Sequence, residues 1–116
     1  MGYSRDLFKK YNYTCVYCGK YFGDSFENWM QLTREYVIPY KRLINSDAKY
    51  RNYEKNLRVA CAIGNNMRTR SYFPEYDSLP IDERIEKTLE AKKKLILERR
   101  REFQRFYETC VKANNM

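Results

Sequence analysis

The order of apolar and polar positions predicts several short elements in the first half of the chain. Residues 4–11 favour a short helix, because their apolar side chains recur about one helical turn apart. Residues 26–29 favour one further helical turn. Residues 30–37 are rich in β-branched and aromatic side chains and contain no breaker before Pro39, which is typical of a strand.

The middle of the chain carries a weaker pattern. The turn-forming run Asn-Ser-Asp occupies residues 45–47, and we expect a second, poorly marked strand within residues 48–54. Asn56 then precedes an apolar segment, residues 57–69, whose spacing is compatible with a helix. Together these patterns predict an α+β fold in which a β-hairpin is followed by a helix.

The last part of the sequence predicts one long helix, residues 80–113, after a linker over residues 71–79. Acidic side chains are concentrated in its early turns and basic ones in its later part, as the helix dipole favours. We expect this helix to pack back on residues 1–70. A coiled-coil homodimer is the alternative, although Lys92 and Arg99 interrupt its second apolar row. The first row recurs every seven residues at Leu89, Ile96, Phe103 and Cys110.

Length and composition limit the class of protein. A chain of 116 residues has the size of one domain with a modest core. It contains no apolar run long enough to cross a bilayer and no signal-peptide pattern, so no membrane partner is expected. The expected location is the cytoplasm, with nucleoid association, or another reducing intracellular compartment. There the four cysteines are thiols or metal ligands rather than disulfides.

The charge of the chain points to a polyanionic partner. The formal net charge is +8, and residues 1–70 hold 13 Lys and Arg against 6 Asp and Glu, whereas residues 71–116 hold 10 against 9. The excess positive charge therefore lies on the first part of the chain, which favours a nucleic acid, with double-stranded DNA as the expected form. Several tyrosines alternate with Lys and Arg, which suits stacking on bases beside phosphate contacts. A basic surface that serves only solubility is the alternative.

Three segments carry a recognisable motif order. The first is the CxxC knuckle Cys15-Val16-Tyr17-Cys18. In the second, Glu35 and Tyr36 are followed by an apolar pair and then Pro39. The third, residues 56–68, has the sequence NLRVACAIGNNMR. Over residues 13–70 this order resembles the HNH, or ββα-metal, endonucleases. Their usual pattern is CxxC, then an acid–His pair before Ile/Val-Pro, then NLxxxCxxCNxxK. The resemblance implies a ββα-metal module with a short N-terminal and a long C-terminal helix. Tyr36 stands where the family has its His, and Gly64 where it has its fourth Cys.

The resemblance also implies a structural zinc site. Cys15, Cys18 and Cys61 match three of the four cysteines of the family, and we expect their sulfur atoms to converge whether or not zinc is bound. Gly64 offers no side chain, so the fourth position is empty unless Cys110, a carboxylate or water fills it, and Cys110 is the first side chain to test. Three buried thiols that act as small apolar side chains are the alternative.

The remaining matches concern cleavage of a phosphodiester. The resemblance implies that Glu35 and Asn65 hold a divalent cation, Mg²⁺ or Mn²⁺, that Tyr36 occupies the position of the general base, and that Asn56 orients the loop and the base. Arg68 matches a basic residue near the scissile phosphate. We expect Glu35 and Tyr36 on the first strand to face Asn65 on the helix. The cations expected to contact nucleic acid are Arg34, Lys41, Arg42, Arg68 and Arg70.

The change from His to Tyr has a direct cost in catalysis. Tyrosine titrates near pH ~10, so supplying the phenolate at pH 7 costs about 4 kcal/mol. A bound cation and Arg34 would lower that cost. The sequence thus predicts a DNA endonuclease with weak or altered metal-dependent catalysis, and predicts that Tyr36→His raises cleavage. The alternatives are a catalytically inactive DNA-binding module and an interaction protein that works through its long helix.

Overall fold

The computed structural model describes residues 2–43, 45–62 and 72–112 of the chain. Its fold is α+β, as predicted, with a two-stranded sheet and a long C-terminal helix. Within these ranges, four short 3₁₀ helices occupy Tyr40–Arg42, Asn45–Tyr50, Glu54–Asn56 and Pro74–Tyr76. The main elements are α1 (Gly2–Lys10), α2 (Phe26–Trp29), β1 (Leu32–Tyr36), β2 (Leu57–Cys61), α3 (Ile81–Tyr107) and a π-helical turn (Glu108–Lys112).

The two strands form an antiparallel pair with a long connection. The register runs from Leu32 opposite Cys61 to Tyr36 opposite Leu57. The first strand confirms the prediction for residues 30–37. The prediction of a second strand within residues 48–54 is wrong, because that segment continues a 3₁₀ helix and then turns.

The second strand is formed instead by Leu57–Cys61, the beginning of the segment predicted to be a helix. Four of its five side chains are buried, so both faces of the strand are covered and no polar–apolar alternation marks it. The rest of the predicted helix, from residue 63 to residue 69, lies outside the described residues.

The helices confirm three sequence predictions. α1 corresponds to the helix predicted at residues 4–11, and α2 to the single turn at residues 26–29. Ser25 caps α2, since the Asn28 backbone N–H donates to Ser25 Oγ at 3.1 Å. α3 confirms the long C-terminal helix.

The first half of α3 packs against the hydrophobic core, and the second half is exposed. Ile85, Leu89 and Ile96 are buried with the sheet and the cysteine knuckle in one cluster. Farther along the same helix, Phe103 and Phe106 are more than half exposed. The apolar row seen in the sequence therefore divides in two, and the homodimer through this helix stays a prediction.

Polar contacts fix the beginning of α3 to the segment that connects the strands. Asp82 accepts hydrogen bonds from Tyr53 Oη at 2.9 Å and from Lys55 Nζ at 3.0 Å. Arg84 is buried and pairs with Asp77 at 3.0 Å and with Asp47 at 3.6 Å. Two of the 3₁₀ helices in the connection between β1 and β2, Asn45–Tyr50 and Glu54–Asn56, are thereby held to α3.

Candidate functional site

Glu35 lies inside the protein rather than on a cation-binding surface. It is 1% exposed, and Tyr17 Oη donates a hydrogen bond to its Oε2. Lys92 Nζ, from α3, lies 3.9 Å from the same oxygen. The carboxylate therefore has a hydroxyl donor and an ammonium group as neighbours within the core.

Lys92 links this carboxylate to the end of β1. Its side chain is fully buried, and its Nζ donates to the carbonyl oxygen of Val37 and lies 3.4 Å from that of Tyr36. A buried ammonium requires such compensation, since its transfer from water costs several kcal/mol. Lys92 thus supplies a positive charge at the end of β1, beside Glu35.

The described residues do not fit a Mg²⁺ or Mn²⁺ site at Glu35. Mg²⁺ usually keeps several waters when it binds to protein carboxylates. A carboxylate that is 1% exposed and 3.9 Å from a lysine ammonium is not open to such a hydrated ion. Asn65, the other predicted ligand, lies outside the described residues, so whether Glu35 or Tyr36 faces it stays a prediction.

Tyr36 is in a different environment from its neighbour Glu35. Successive side chains of a strand point to opposite faces, and Tyr36 is half-buried whereas Glu35 is buried. The Tyr36 ring packs edge-to-face on Tyr40 with centroids 5.7 Å apart, and its hydroxyl donates to Asn52 Oδ1 at 3.4 Å. The Tyr36 side chain is therefore partly accessible, and its role as a base stays a prediction.

Asn56 fastens the two ends of the connection between the strands. The side chain is fully buried; its Oδ1 accepts from Ile38 N–H at 2.8 Å and its Nδ2 donates to the Ile38 carbonyl at 3.2 Å. Its own carbonyl accepts from Val37 N–H at 3.0 Å. Asn56 therefore holds the loop that follows β1. That it orients a catalytic base stays a prediction.

The three motif cysteines converge, as predicted. Their sulfur atoms all lie within 4.8 Å of one another, and Cys18 Sγ is 3.9 Å from Cys61 Sγ. Zinc at about 2.3 Å from each of two tetrahedral thiolates would hold them about 3.8 Å apart. Among the described residues this is the one group of three or more Cys, His, Asp or Glu that could hold a metal ion.

Local backbone geometry brings the knuckle to the sheet. Gly19 adopts φ +72°, which closes the turn, and its N–H donates to the Cys15 carbonyl at 2.9 Å. Val16 N–H donates to the Val59 carbonyl at 2.8 Å, so the knuckle lies along β2, which ends at Cys61. These backbone contacts bring Cys15 and Cys18 next to Cys61.

The cluster favours the thiolate form that binds metals. Hydrogen bonds from Cys18 and then from Cys61 lower the pKa of Cys15 well below the usual value of a thiol. A thiolate is the form in which cysteine binds zinc. The donor set and the sulfur spacing therefore fit a zinc ion.

Cys110, which we expected first as the fourth ligand, is not part of the cluster. It is exposed, in the π-helical turn that follows α3, and it does not belong to the group of converging sulfurs. This half of the long helix extends beyond the part that packs on the core.

A cationic surface lies on the connection between the strands. We call residues 40–51 the basic loop; Lys41, Arg42 and Lys49 are exposed there. The Arg42 guanidinium stacks on the Tyr72 ring at 4.1 Å, and that of Arg51 on Tyr40 at 4.7 Å. Of the other predicted contacts, Arg34 is exposed on β1, and Arg68 and Arg70 lie outside the described residues.

Sequence reasoning did not assign Tyr17, Arg51 or Lys92 to a site. Arg51 had a signal in the alternation of basic and aromatic residues. Tyr17 occupies a variable position of the CxxC motif, so the motif assigns it no role. Lys92 was interpreted as an interruption of an apolar row, and nothing near it in the sequence indicates a buried carboxylate.

Comparisons with protein-family models, with curated proteins and with solved structures found no match. No described helix has the length and apolar character needed to cross a membrane.

Proposed function

We propose that this chain is an HNH-like protein that binds double-stranded DNA through the basic loop and cleaves it weakly or not at all. The observation that carries the proposal is the set of exposed cations on that loop. Lys41, Arg42 and Lys49 make no ion pair with the described residues.

The acidic residue of the loop is partly compensated from inside. Asp47 pairs at 3.6 Å with the buried Arg84, which also pairs with Asp77 at 3.0 Å. The loop holds four Lys and Arg residues against this one carboxylate, so its outward charge is positive. Such a surface attracts phosphates and releases their counterions when it binds.

Stacking on tyrosine fixes two of these cations. A guanidinium that lies on an aromatic ring keeps its N–H edge available for a phosphate. Arg42 on Tyr72 and Arg51 on Tyr40 have this arrangement, and Arg51 Nε also donates to the Leu43 carbonyl at 2.7 Å. The loop therefore presents charge from a fixed frame, at a small entropic cost on binding.

Three features support the HNH-like architecture. The antiparallel hairpin begins its second strand directly after Asn56, whose side chain holds the loop of the first strand at Ile38. The CxxC knuckle meets the cysteine at the end of that second strand. These contacts are what the motif order requires if residues 13–70 fold as the family does.

Weak cleavage follows from the environment of Glu35. The carboxylate that the family uses for its divalent cation is here beside Lys92 and hydrogen-bonded to Tyr17. The ammonium group balances its charge in the place of a metal ion. With tyrosine instead of histidine at position 36, both the cation and the base of the usual mechanism are altered.

Binding is tested by the salt dependence of affinity for a fluorescent DNA duplex in EDTA. We expect Lys41→Gln/Lys49→Gln to weaken binding and to reduce the slope of log K against log salt by about 1.8, or 0.9 per phosphate contact. The matched control is Lys87→Gln/Lys94→Gln, which removes the same charge from exposed positions of α3. Equal losses of DNA affinity in both variants would contradict binding through the basic loop, and would indicate attraction by net charge alone.

A metal-dependent endonuclease is the second candidate, and the half-exposed Tyr36 favours it. Its side chain is partly exposed, whereas that of Glu35 is buried. Plasmid nicking with Mn²⁺ by the parent, Tyr36→His and Tyr36→Phe distinguishes this endonuclease from a DNA-binding protein without efficient cleavage. Increased nicking by Tyr36→His alone indicates an intact metal site, and loss in Tyr36→Phe of an activity present in the parent indicates catalysis by the tyrosine. A protein that neither binds nor cuts DNA would leave the long helix as the functional element.

A further inference from the structure

The cysteine cluster has three donors, and the sequence limits the source of a fourth. The chain has no His, and its remaining cysteine, Cys110, is outside the cluster. No carboxylate of the described residues belongs to the group. The residues outside the described ranges include no Cys, His, Asp or Glu at all. The cluster therefore supplies three of the four side-chain ligands that a structural zinc site usually has.

The cluster opens on one side into a pocket. Cys15 and Cys61 are each 1% exposed, whereas Cys18 is half-buried. Cys18 and Cys61 line a pocket of about 280 Å³. Its other walls are formed by Lys20, Phe22, Gln31, Leu97 and Arg100. A metal ion held by the three sulfur atoms would therefore adjoin this pocket.

Two cations border the pocket. Lys20 follows the knuckle and Arg100 comes from the exposed half of α3, and both side chains are exposed. Zinc with three thiolates carries a net charge of −1, and a further anionic donor makes it −2. Lys20 and Arg100 would offset this charge, and a guanidinium can also hold a carboxylate by two hydrogen bonds.

We propose that the Cys15–Cys18–Cys61 site binds zinc with its fourth position open to the pocket, where it takes a small external thiolate that carries carboxylate groups. The sulfur suits a metal ion that already has three sulfur ligands. The carboxylates suit Lys20 and Arg100. On binding, the thiol loses its proton to solvent and its sulfur replaces a zinc-bound water. This inference does not depend on the proposed DNA binding.

Cobalt substitution of the purified full-length protein tests the site without an activity assay. Co²⁺ in a tetrahedral site absorbs in the visible range, and its sulfur-to-metal charge-transfer band grows with the number of thiolates. We expect one Co²⁺ per chain, and an increase of about one third in that band when mercaptosuccinate is added, because four thiolates replace three. Succinate, which lacks the thiol, should leave the band unchanged.

The ligand class is tested by comparing a charged and a neutral thiol. Wild-type protein should bind mercaptosuccinate at least about tenfold more tightly than 2-mercaptoethanol, a difference of about 1.4 kcal/mol. Lys20→Gln/Arg100→Gln should remove most of that preference, and Lys87→Gln/Lys94→Gln should keep it. The wild-type comparison alone decides the point if a variant does not fold.

Three results would overturn the proposal. The first is the absence of stoichiometric Co²⁺ binding. The second is a four-sulfur spectrum that added thiols do not change and that Cys110→Ser reduces, which would make Cys110 the fourth ligand. The third is equal affinity for the charged and the neutral thiol in wild-type protein, which would remove the role of the two cations.

Discussion

Lys92 Nζ lies 3.9 Å from Glu35 Oε2, and both side chains are withdrawn from solvent. The two residues join α3 to β1, and the same ammonium binds the carbonyl oxygen of Val37 at the end of the strand. The long C-terminal helix thus places the Lys92 ammonium beside Glu35, the residue that the resemblance assigns as a ligand of the divalent cation. This relationship explains both how the helix is held and why weak cleavage is expected.

Removing the lysine alone should be costly. Lys92→Met leaves the Glu35 carboxylate buried without its cation, and we expect a loss of about 3–5 kcal/mol in the free energy of unfolding. Lys92→Met/Glu35→Gln should recover about 2 kcal/mol of that loss, because a neutral amide can still accept from Tyr17. Urea denaturation of the two single variants and the double variant measures the coupling.

Lys94→Met is the matched control for this cycle, since Lys94 is exposed on the same helix. Its effect should stay within about 0.5 kcal/mol. A coupling energy near zero between Lys92 and Glu35 would contradict the importance of the pair.

The pair also shows where sequence reasoning reached its limit. In the pattern of α3, Lys92 is one polar residue in an apolar row, and such a lysine is normally exposed. Its burial depends on a carboxylate and on strand carbonyls contributed by a distant segment. The pattern therefore predicted the helix and its buried side at Leu89 and Ile96, but not the polar contact at its centre.

Asn56 offers a test of the loop that follows β1. Asn56→Ala leaves the N–H and the carbonyl of Ile38 without their side-chain partners in a buried site, and should lower the free energy of unfolding by about 2 kcal/mol or more. Asn52→Ala, at an exposed position, should change it by less than about 0.5 kcal/mol. Chemical denaturation compares them, and equal effects would contradict the role of Asn56 as a clamp.

The second strand shows a different limit. Leu57–Cys61 is a short apolar run, and for such runs periodicity does not distinguish a buried strand from a buried helix. Its conformation is decided by pairing with β1 on one edge and by the Val16–Val59 hydrogen bond from the knuckle. The convergence of the three cysteines, by contrast, was predictable because motif spacing has meaning only if the knuckles meet.

The stability of the chain should depend on Asp82 in a pH-specific way. The pKa of Asp82 is lowered, first by the hydrogen bond from Lys55 and then by that from Tyr53. A carboxyl group with a lowered folded-state pKa stabilises the fold above its unfolded pKa of about 3.9, and this contribution is lost as pH falls through the folded pKa. Asp82→Asn should therefore lower the melting temperature at pH 7, and the difference should shrink progressively in acid.

Glu83→Gln is the control for this comparison, because Glu83 shares the first turn of α3 but makes no ion pair with the described residues. It should show a smaller difference at pH 7. Thermal unfolding followed by circular dichroism between neutral and acidic pH gives both profiles. A difference for Asp82→Asn that grows as the pH falls would contradict the assigned sign.

The most direct test of DNA binding without efficient cleavage measures plasmid nicking and plasmid binding in the same solution. Supercoiled plasmid is incubated with Mn²⁺ at pH values from 7 to 10, at protein concentrations that saturate the DNA by gel shift. The Lys92–Glu35 pair and the tyrosine at position 36 predict fully bound plasmid that stays supercoiled at pH 7. Efficient nicking by the parent protein at neutral pH would contradict the account, because Glu35 or Tyr36 would then be a working catalytic residue.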